Sequence, residues 1–149
     1  MSGVTIRSVA EGDFDRWKEL WEGYLVFYKA EVDRDNMPVL FQRLLVPDTD
    51  PYGLVACDDD GRIVGITHYM FHATCWTVRD KCYLQDLFVD PAYRGGGAGR
   101  ALIEAVYEKA KEADASELYW MTQEFNSVAR VLYDKVADKT PFIKYKKAI

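Results

Sequence analysis

The chain has 149 residues, about one ordinary domain, and its 49% hydrophobic content with four tryptophans argues for a packed core and against disorder. A net charge of −5 argues against a nucleic-acid partner, whose binder carries a basic stripe, and no apolar run reaches the roughly 18 residues of a membrane span. Three cysteines, Cys57, Cys75 and Cys82, have no metal-type spacing, so a reduced, cytoplasmic setting without a structural disulfide is expected.

Val4 to Val9 alternates as an opening strand, with no secretory leader before it. Phe14, Trp17, Trp21, Tyr24, Leu25 and Tyr28 then follow helical spacing. An acidic stretch, Glu31 to Asn36, leads to a shorter helix from Pro38 to Val46, and Pro47 and Pro51 bracket its exit loop. Gly53 to Cys57 and Arg62 to Phe71 are strands joined by the hairpin turn Asp58-Asp59-Asp60-Gly61. Cys82 to Val89 is a further strand, followed by a glycine turn and a helix that begins Ala101-Leu102-Ile103. Leu118 to Met121 is a short strand, Asn126 to Val136 a helix, and Pro141 to Tyr145 a final strand. The order β-α-α-β-β-β-α-β-α-β opens with antiparallel hairpins and continues with strand–helix units that favour parallel pairing, a mixed α/β (α+β) class. With no internal repeat and no linker, residues 1–149 read as a single domain.

The most informative segment is Asp90-Pro91-Ala92-Tyr93-Arg94-Gly95-Gly96-Gly97-Ala98-Gly99-Arg100. Glycines let backbone N–H groups converge on a small volume, and the following helix adds its unpaired N–H groups and the positive end of its dipole. This is an anion site, suited to phosphate or pyrophosphate. An NTPase phosphate loop ends in Gly-Lys-Ser/Thr, but Gly99 is followed by Arg100 and Ala101. A dinucleotide G-x-G-x-x-G fails in both registers, because Arg100 or Leu102 falls where its third glycine belongs.

Arg94-x-x-Gly97-x-Gly99 after an apolar strand resembles the R/Q-x-x-G-x-G/A acetyl-CoA signature of the GCN5-related N-acetyltransferases, the GNAT family. The resemblance extends to Asn126-x-x-Ala129-x-x-Leu132-Tyr133-x-Lys135, and within the family it is nearest to the yeast histone and polyamine acetyltransferase branch. It implies a central, mostly antiparallel sheet with a parallel V-shaped split at the fourth and fifth strands and helices on both faces. It also implies acetyl-CoA as cosubstrate. The loop amides from Arg94 through Gly95, Gly96, Gly97, Ala98 and Gly99 to Arg100 would hold the pyrophosphate. The strand amides of Leu87, Phe88 and Val89, with Asn126, would hold the pantetheine arm. Enzymes of that branch are usually homodimers acting on polyamines, basic peptides or amino acids.

The chemistry needs a proton donor for the departing thiolate, and Tyr133 matches the family's acid. On residues alone, Asn126 is a helix N-cap and Tyr133 a core aromatic. The attacking amine must be neutral, and deprotonating an alkylammonium at pH 7 costs roughly 4 to 5 kcal/mol. The polyamine branch has an acidic pair in the preceding strand, with glutamate first. Here the pair is Gln85-Asp86, so Gln85 is left as a substrate contact and Asp86 as the candidate base, with a structural hydrogen-bonding role as its alternative. No metal site is expected, because His68 and His72 on one strand face lie roughly 13 Å apart at about 3.3 Å per residue; both read as half-buried histidines. Tyr24 and Glu31, on the first helix and its acidic exit, are candidate substrate contacts. Two alternatives stand beside an amine acetyltransferase: transfer of a longer acyl group, and a silent acyl-CoA sensor.

Overall fold

The computed structural model describes residues 3–30 and 33–149. Its elements are β1 (Thr5–Ser8), α1 (Phe14–Tyr28), α2 (Met37–Leu44), β2 (Tyr52–Cys57), β3 (Ile63–His72), β4 (Lys81–Val89), α3 (Ala98–Glu112), β5 (Glu117–Tyr119) and α4 (Ser127–Val136). The strands form one sheet in the order β1-β2-β3-β4-β5. The first three pairings are antiparallel, and β4–β5 is parallel.

Helices cover both faces, as the apolar periodicities require. On one face Trp17, Leu20, Trp21 and Leu25 of α1 and Met37 and Phe41 of α2 pack against Val55, Ile66 and Phe88 of the sheet. On the other, Leu102, Ile103, Val106 and Ala110 of α3 pack against Leu54, Val64, Tyr69 and Leu84. α1 ends where Lys29 turns left-handed (φ 51°) and its N–H returns to the carbonyls of Leu25 and Val26. The turn between β2 and β3 is held by Asp58, whose Oδ1 accepts from the N–H groups of Asp60 and Arg62.

Two relationships along β4 position the site. The parallel ladder with β5 covers only Lys81–Tyr83, paired with Glu117–Tyr119. From Leu84 onward, β4 keeps a strand partner on its β3 side only, among the described residues, which is the expected split. β4 also carries a bulge: His68 pairs with Asp86 and Tyr69 with Leu84, leaving Gln85 as the extra residue.

The expected final strand does not form. Residues 141–145 pair with no strand among the described residues, and Phe142, Ile143 and Tyr145 are 75%, 76% and 89% exposed. Alternating apolar residues supply strand propensity, but a strand also needs a neighbouring ladder, and this segment meets none among the described residues. The helix after the glycine turn begins at Ala98, three residues before the expected start, which places Ala98, Gly99 and Arg100 in its first turn.

Candidate active site

The glycine turn hangs between the end of β4 and the start of α3. Gly95 and Gly97 adopt φ of 85° and 86°, a region where a side chain would strain the backbone. Gly97 is the residue before α3, and its carbonyl accepts the Ala101 N–H. The N–H groups of Ala98, Gly99 and Arg100 therefore belong to the unpaired first turn of a 15-residue helix, and the loop itself is exposed. Arg16 braces the turn from α1: its Nη2 lies 2.7 Å from Asp90 Oδ2 and its Nε donates to the Ile63 carbonyl. That guanidinium holds the Asp90 carboxyl below the usual carboxylate range, helped by the Ala92 N–H. Arg94 folds back instead of reaching out: its Nε donates to the Val89 carbonyl, and its guanidinium lies over Phe27 and Phe88 at 5.7 and 5.5 Å. The expected pyrophosphate site thus has its amides and its helix end, while the Arg94 head group packs on aromatics.

Leu87, Phe88 and Val89 close β4 just before this turn, with Phe88 buried and the other two half-buried. Their strand has the open edge described above. An extended ligand arm needs such an edge, since unpaired N–H and C=O groups accept a strand-like partner.

At the bulge, Asp86 is buried, 9% exposed, and its Oδ2 lies 3.0 Å from His68 Nδ1. The other ring nitrogen, His68 Nε2, accepts the Trp17 indole N–H at 2.9 Å. An indole N–H only donates, so Nε2 carries the lone pair, and the ring proton sits on Nδ1 and is donated to Asp86. The Asp86 carbonyl accepts from Thr67 Oγ1 at 2.7 Å, which anchors the backbone behind the carboxylate. His68 is therefore a buried residue with two partners, in place of the half-buried histidine read from sequence; His72 is exposed at the strand end, bonded to the Tyr119 phenol.

Adjacent strand residues normally point to opposite faces, yet Gln85 and Asp86 line the same cavity of about 290 Å³ because the bulge breaks the alternation. Trp17, Trp21, His68 and Arg43 are among its other walls. A ladder of rings on α1 runs from this cavity toward α4: Trp17–Trp21 at 6.1 Å, Trp21–Tyr24 at 4.9 Å and Tyr24–Tyr28 at 4.7 Å. Burial pushes the Tyr24 phenol up, and the neighbouring Asp86 carboxylate adds to it.

The ladder ends at the second sequence constellation. The Tyr28 phenol oxygen accepts from Asn126 Nδ2 at 3.2 Å, and Asn126 Nδ2 also donates to Thr122 Oγ1. Asn126 occupies the N-cap position of α4, but its side chain makes no capping bond. Tyr133 stacks edge-on against Trp120 at 5.5 Å; burial, then the charge of Tyr28, pushes its phenol up to about 12. Of the sequence candidates, Asp86 and Gln85 line the cavity, Tyr24 stands between them and Tyr28 in the ladder and neighbours Asp86, and Asn126 meets the ladder's far end at Tyr28. Glu31 lies outside the described residues. His68 in its buried role, Trp17, Tyr28 and Arg43 were missed. The spacing of Trp17, Trp21, Tyr24 and Tyr28 was the available signal for the ladder, and nothing in the sequence singled out Arg43.

β4 thus carries a buried carboxylate and an open edge, and it ends at a glycine turn that leads into the unpaired first turn of α3. Residues 17–137 match the acetyltransferase (GNAT) family, and the chain belongs to that family as an N-acetyltransferase. It is 34% identical over 145 residues to the D-amino-acid N-acetyltransferase HPA3 of Saccharomyces cerevisiae, covering 97% of this chain and 90% of that protein. It is also 37% identical over 71 residues to the thialysine N-epsilon-acetyltransferase of Bos taurus, 48% of this chain and 41% of that one. The fold matches that of the aminoglycoside N-acetyltransferase AAC(6')-Iy solved with CoA, with a TM-score of 0.82 over 99% of this chain and 96% of that one at 18% identity.

Proposed function

We propose that the chain moves an acetyl group from acetyl-CoA to a primary amine, of the amino-acid, polyamine or basic-peptide kind, by direct attack while both substrates are bound. Acetyl-CoA supplies the activated acetyl thioester. The turn from Arg94 to Arg100 binds the pyrophosphate through its amides, and the β4 edge at Leu87, Phe88 and Val89, with Asn126, binds the pantetheine arm. Asp86 takes the proton of the amine, directly or through water, as the N–C bond forms; Tyr133 gives a proton to the sulfur as the C–S bond breaks. Tyr24 and Gln85 contact the acceptor. Relatives named for amino-acid and thialysine acetylation support an amine acceptor.

One observation carries the reading: Asp86 is held by His68 and Trp17 in the wall of a cavity, on the strand that ends at the anion-binding turn. Substitution Asp86→Asn tests it. Thiol release from acetyl-CoA with an amine acceptor is expected to fall about 10²-fold or more at pH 7, and to recover in part as rising pH deprotonates the amine. CoA affinity should hold. An unchanged rate would remove Asp86 from the chemistry.

The reading takes residues 1–149 as one acetyltransferase domain working without a metal. No helix among the described residues is long and apolar enough to cross a membrane, and the three thiols are unpaired, in keeping with a reducing, cytoplasmic setting. A homodimer is proposed from the exposed apolar residues Phe142, Ile143 and Tyr145; light scattering at twice the chain mass of 17.1 kDa tests it.

A further inference from the structure

The last residues of β4 do not all present their backbone to the open edge. Asp90 donates its N–H to the Val64 carbonyl on the β3 side, and the register pairs Gly65 with Val89, Ile66 with Phe88 and Thr67 with Leu87. In an antiparallel ladder the N–H and C=O of one residue point the same way, and the direction alternates from residue to residue. Asp90 and Phe88 therefore turn their backbone groups to β3. Leu87 and Val89 turn theirs into the split, beyond the point where the ladder with β5 ends at Tyr83 and Tyr119. The Val89 carbonyl is thus one of the groups that an extended ligand arm would pair with.

That carbonyl is already taken. The Arg94 Nε–H donates to it at 3.2 Å, and the planar guanidinium lies over Phe88 and Phe27 at 5.5 and 5.7 Å. Groups of β4 and α1 together hold this side chain at the mouth of the split. Its acceptor there is a neutral carbonyl, whereas Arg7 and Arg16 each hold an aspartate at 2.7 Å.

Arg94 also opens the run Gly95 to Arg100, which leads into the unpaired N–H groups of α3. A pyrophosphate brought to that turn offers a guanidinium a charged, bidentate acceptor, which is stronger than a neutral carbonyl. An arm without phosphates offers Arg94 nothing in exchange and must displace it from Val89 at a net cost.

Resting on the acetyltransferase reading above, we propose that the Arg94 side chain selects a pyrophosphate-bearing thioester over one that brings the pantetheine arm alone. By capping the Val89 carbonyl it works against every arm, and only a donor that carries the phosphates offsets that loss by drawing the guanidinium away.

The test measures binding of CoA by calorimetry and of pantetheine, which lacks the phosphates and the nucleoside, by NMR titration. Wild type, Arg94→Ala and Arg94→Lys are compared. Arg94→Ala should bind CoA about tenfold more weakly and pantetheine about threefold more tightly. The opposite signs are the signature: a residue that only holds phosphate leaves pantetheine unchanged, and one that only supports the fold weakens both. Arg94→Lys keeps the cation without the planar fork, so it should recover part of the CoA affinity. The kcat/KM preference for acetyl-CoA over acetyl-pantetheine should shrink about thirtyfold in Arg94→Ala, the product of the two binding changes. In ¹⁵N–¹H spectra the wild-type Arg94 Nε–H should be slow to exchange and shifted by the two rings, and CoA should remove that shift. If Arg94→Ala weakens both ligands, or leaves pantetheine binding unchanged, the inference is overturned and acetyl transfer stands. If the two ligands respond with opposite signs while no amine is acetylated, the selection by Arg94 stands and the acetyltransferase reading falls. Failure of the wild type to bind CoA also overturns the inference.

Discussion

Trp17 and His68, 51 residues apart in sequence, meet at 2.9 Å through an indole N–H that can only donate. That bond decides which nitrogen of the imidazole carries its proton, and so which atom Asp86 faces. In the proposed mechanism His68 is a positioning residue, acting through Asp86.

The first prediction concerns this chain of three. His68→Phe should lower kcat about tenfold or more while leaving the KM for acetyl-CoA in place, because a poorly oriented base loses efficiency before binding does. His68→Gln keeps an N–H donor toward Asp86 and should recover part of the loss. Long-range ¹⁵N–¹H NMR of the wild type should show the Nδ1-protonated tautomer, and Trp17→Phe should weaken that preference. A tautomer protonated on Nε2 in the wild type would break the scheme.

Tyr133 gives a pH prediction. Burial disfavours the phenolate and pushes the group up to about 12, so the sign is toward the acid form. The phenol therefore keeps its proton throughout the working range, and no activity should be lost through Tyr133 between pH 7 and 10. Tyr133→Phe should slow thiol release about 10²-fold, by a similar factor at pH 7 and 9, with CoA affinity unchanged. A penalty that disappears at pH 9 would count against a proton-donating role.

The glycine turn can be probed at two neighbouring positions. Gly97 sits at φ 86° and Gly96 does not share that left-handed region. Gly97→Ala should strain the backbone by about 1 to 2 kcal/mol and weaken CoA binding roughly tenfold. Gly96→Ala, whose added methyl would meet the Tyr93 carbonyl oxygen at 3.4 Å, should have the smaller effect. Calorimetric titration with CoA compares them, and equal losses would remove the special role of Gly97.

Arg16 and Asp90 give a stability prediction. The Asp90 carboxyl is lowered in the fold, chiefly by the Arg16 hydrogen bond, so its contribution is present above the unfolded value near 3.9 and is lost as pH falls through the folded value. Asp90→Asn should cost about 1 kcal/mol at pH 7, since the pair is about one-fifth exposed and screened by water. Urea unfolding at pH 7, 5 and 3.5 should show the difference from wild type steady between the first two and shrinking at the third. A gap that widens on acidification would contradict the assignment.

Much of this molecule was legible in its residues because the signals were local. The periodicity of Trp17, Trp21 and Leu25 reports one helix face, and Leu102, Ile103 and Val106 report another; both faces are buried as expected. The glycines of residues 95–99 declare a turn that other residues resist. Residues 141–145 failed as a strand because alternation describes propensity, while pairing depends on a neighbour supplied by the fold.

By itself, then, the sequence determined the element order as far as the last helix, the two apolar faces and the glycine turn before α3, all of which depend on residues within one or two turns of each other. Tertiary structure decided the rest. A bulge brings Gln85 and Asp86 to one cavity wall, the α1 ladder carries Trp17 to His68 and Tyr28 to Asn126, and α2 delivers Arg43 beside them. The bulge arises from the register of β4 against β3, and each of the other contacts joins residues far apart in the chain, so no local pattern encodes them; only packing on the two faces of the sheet brings them together.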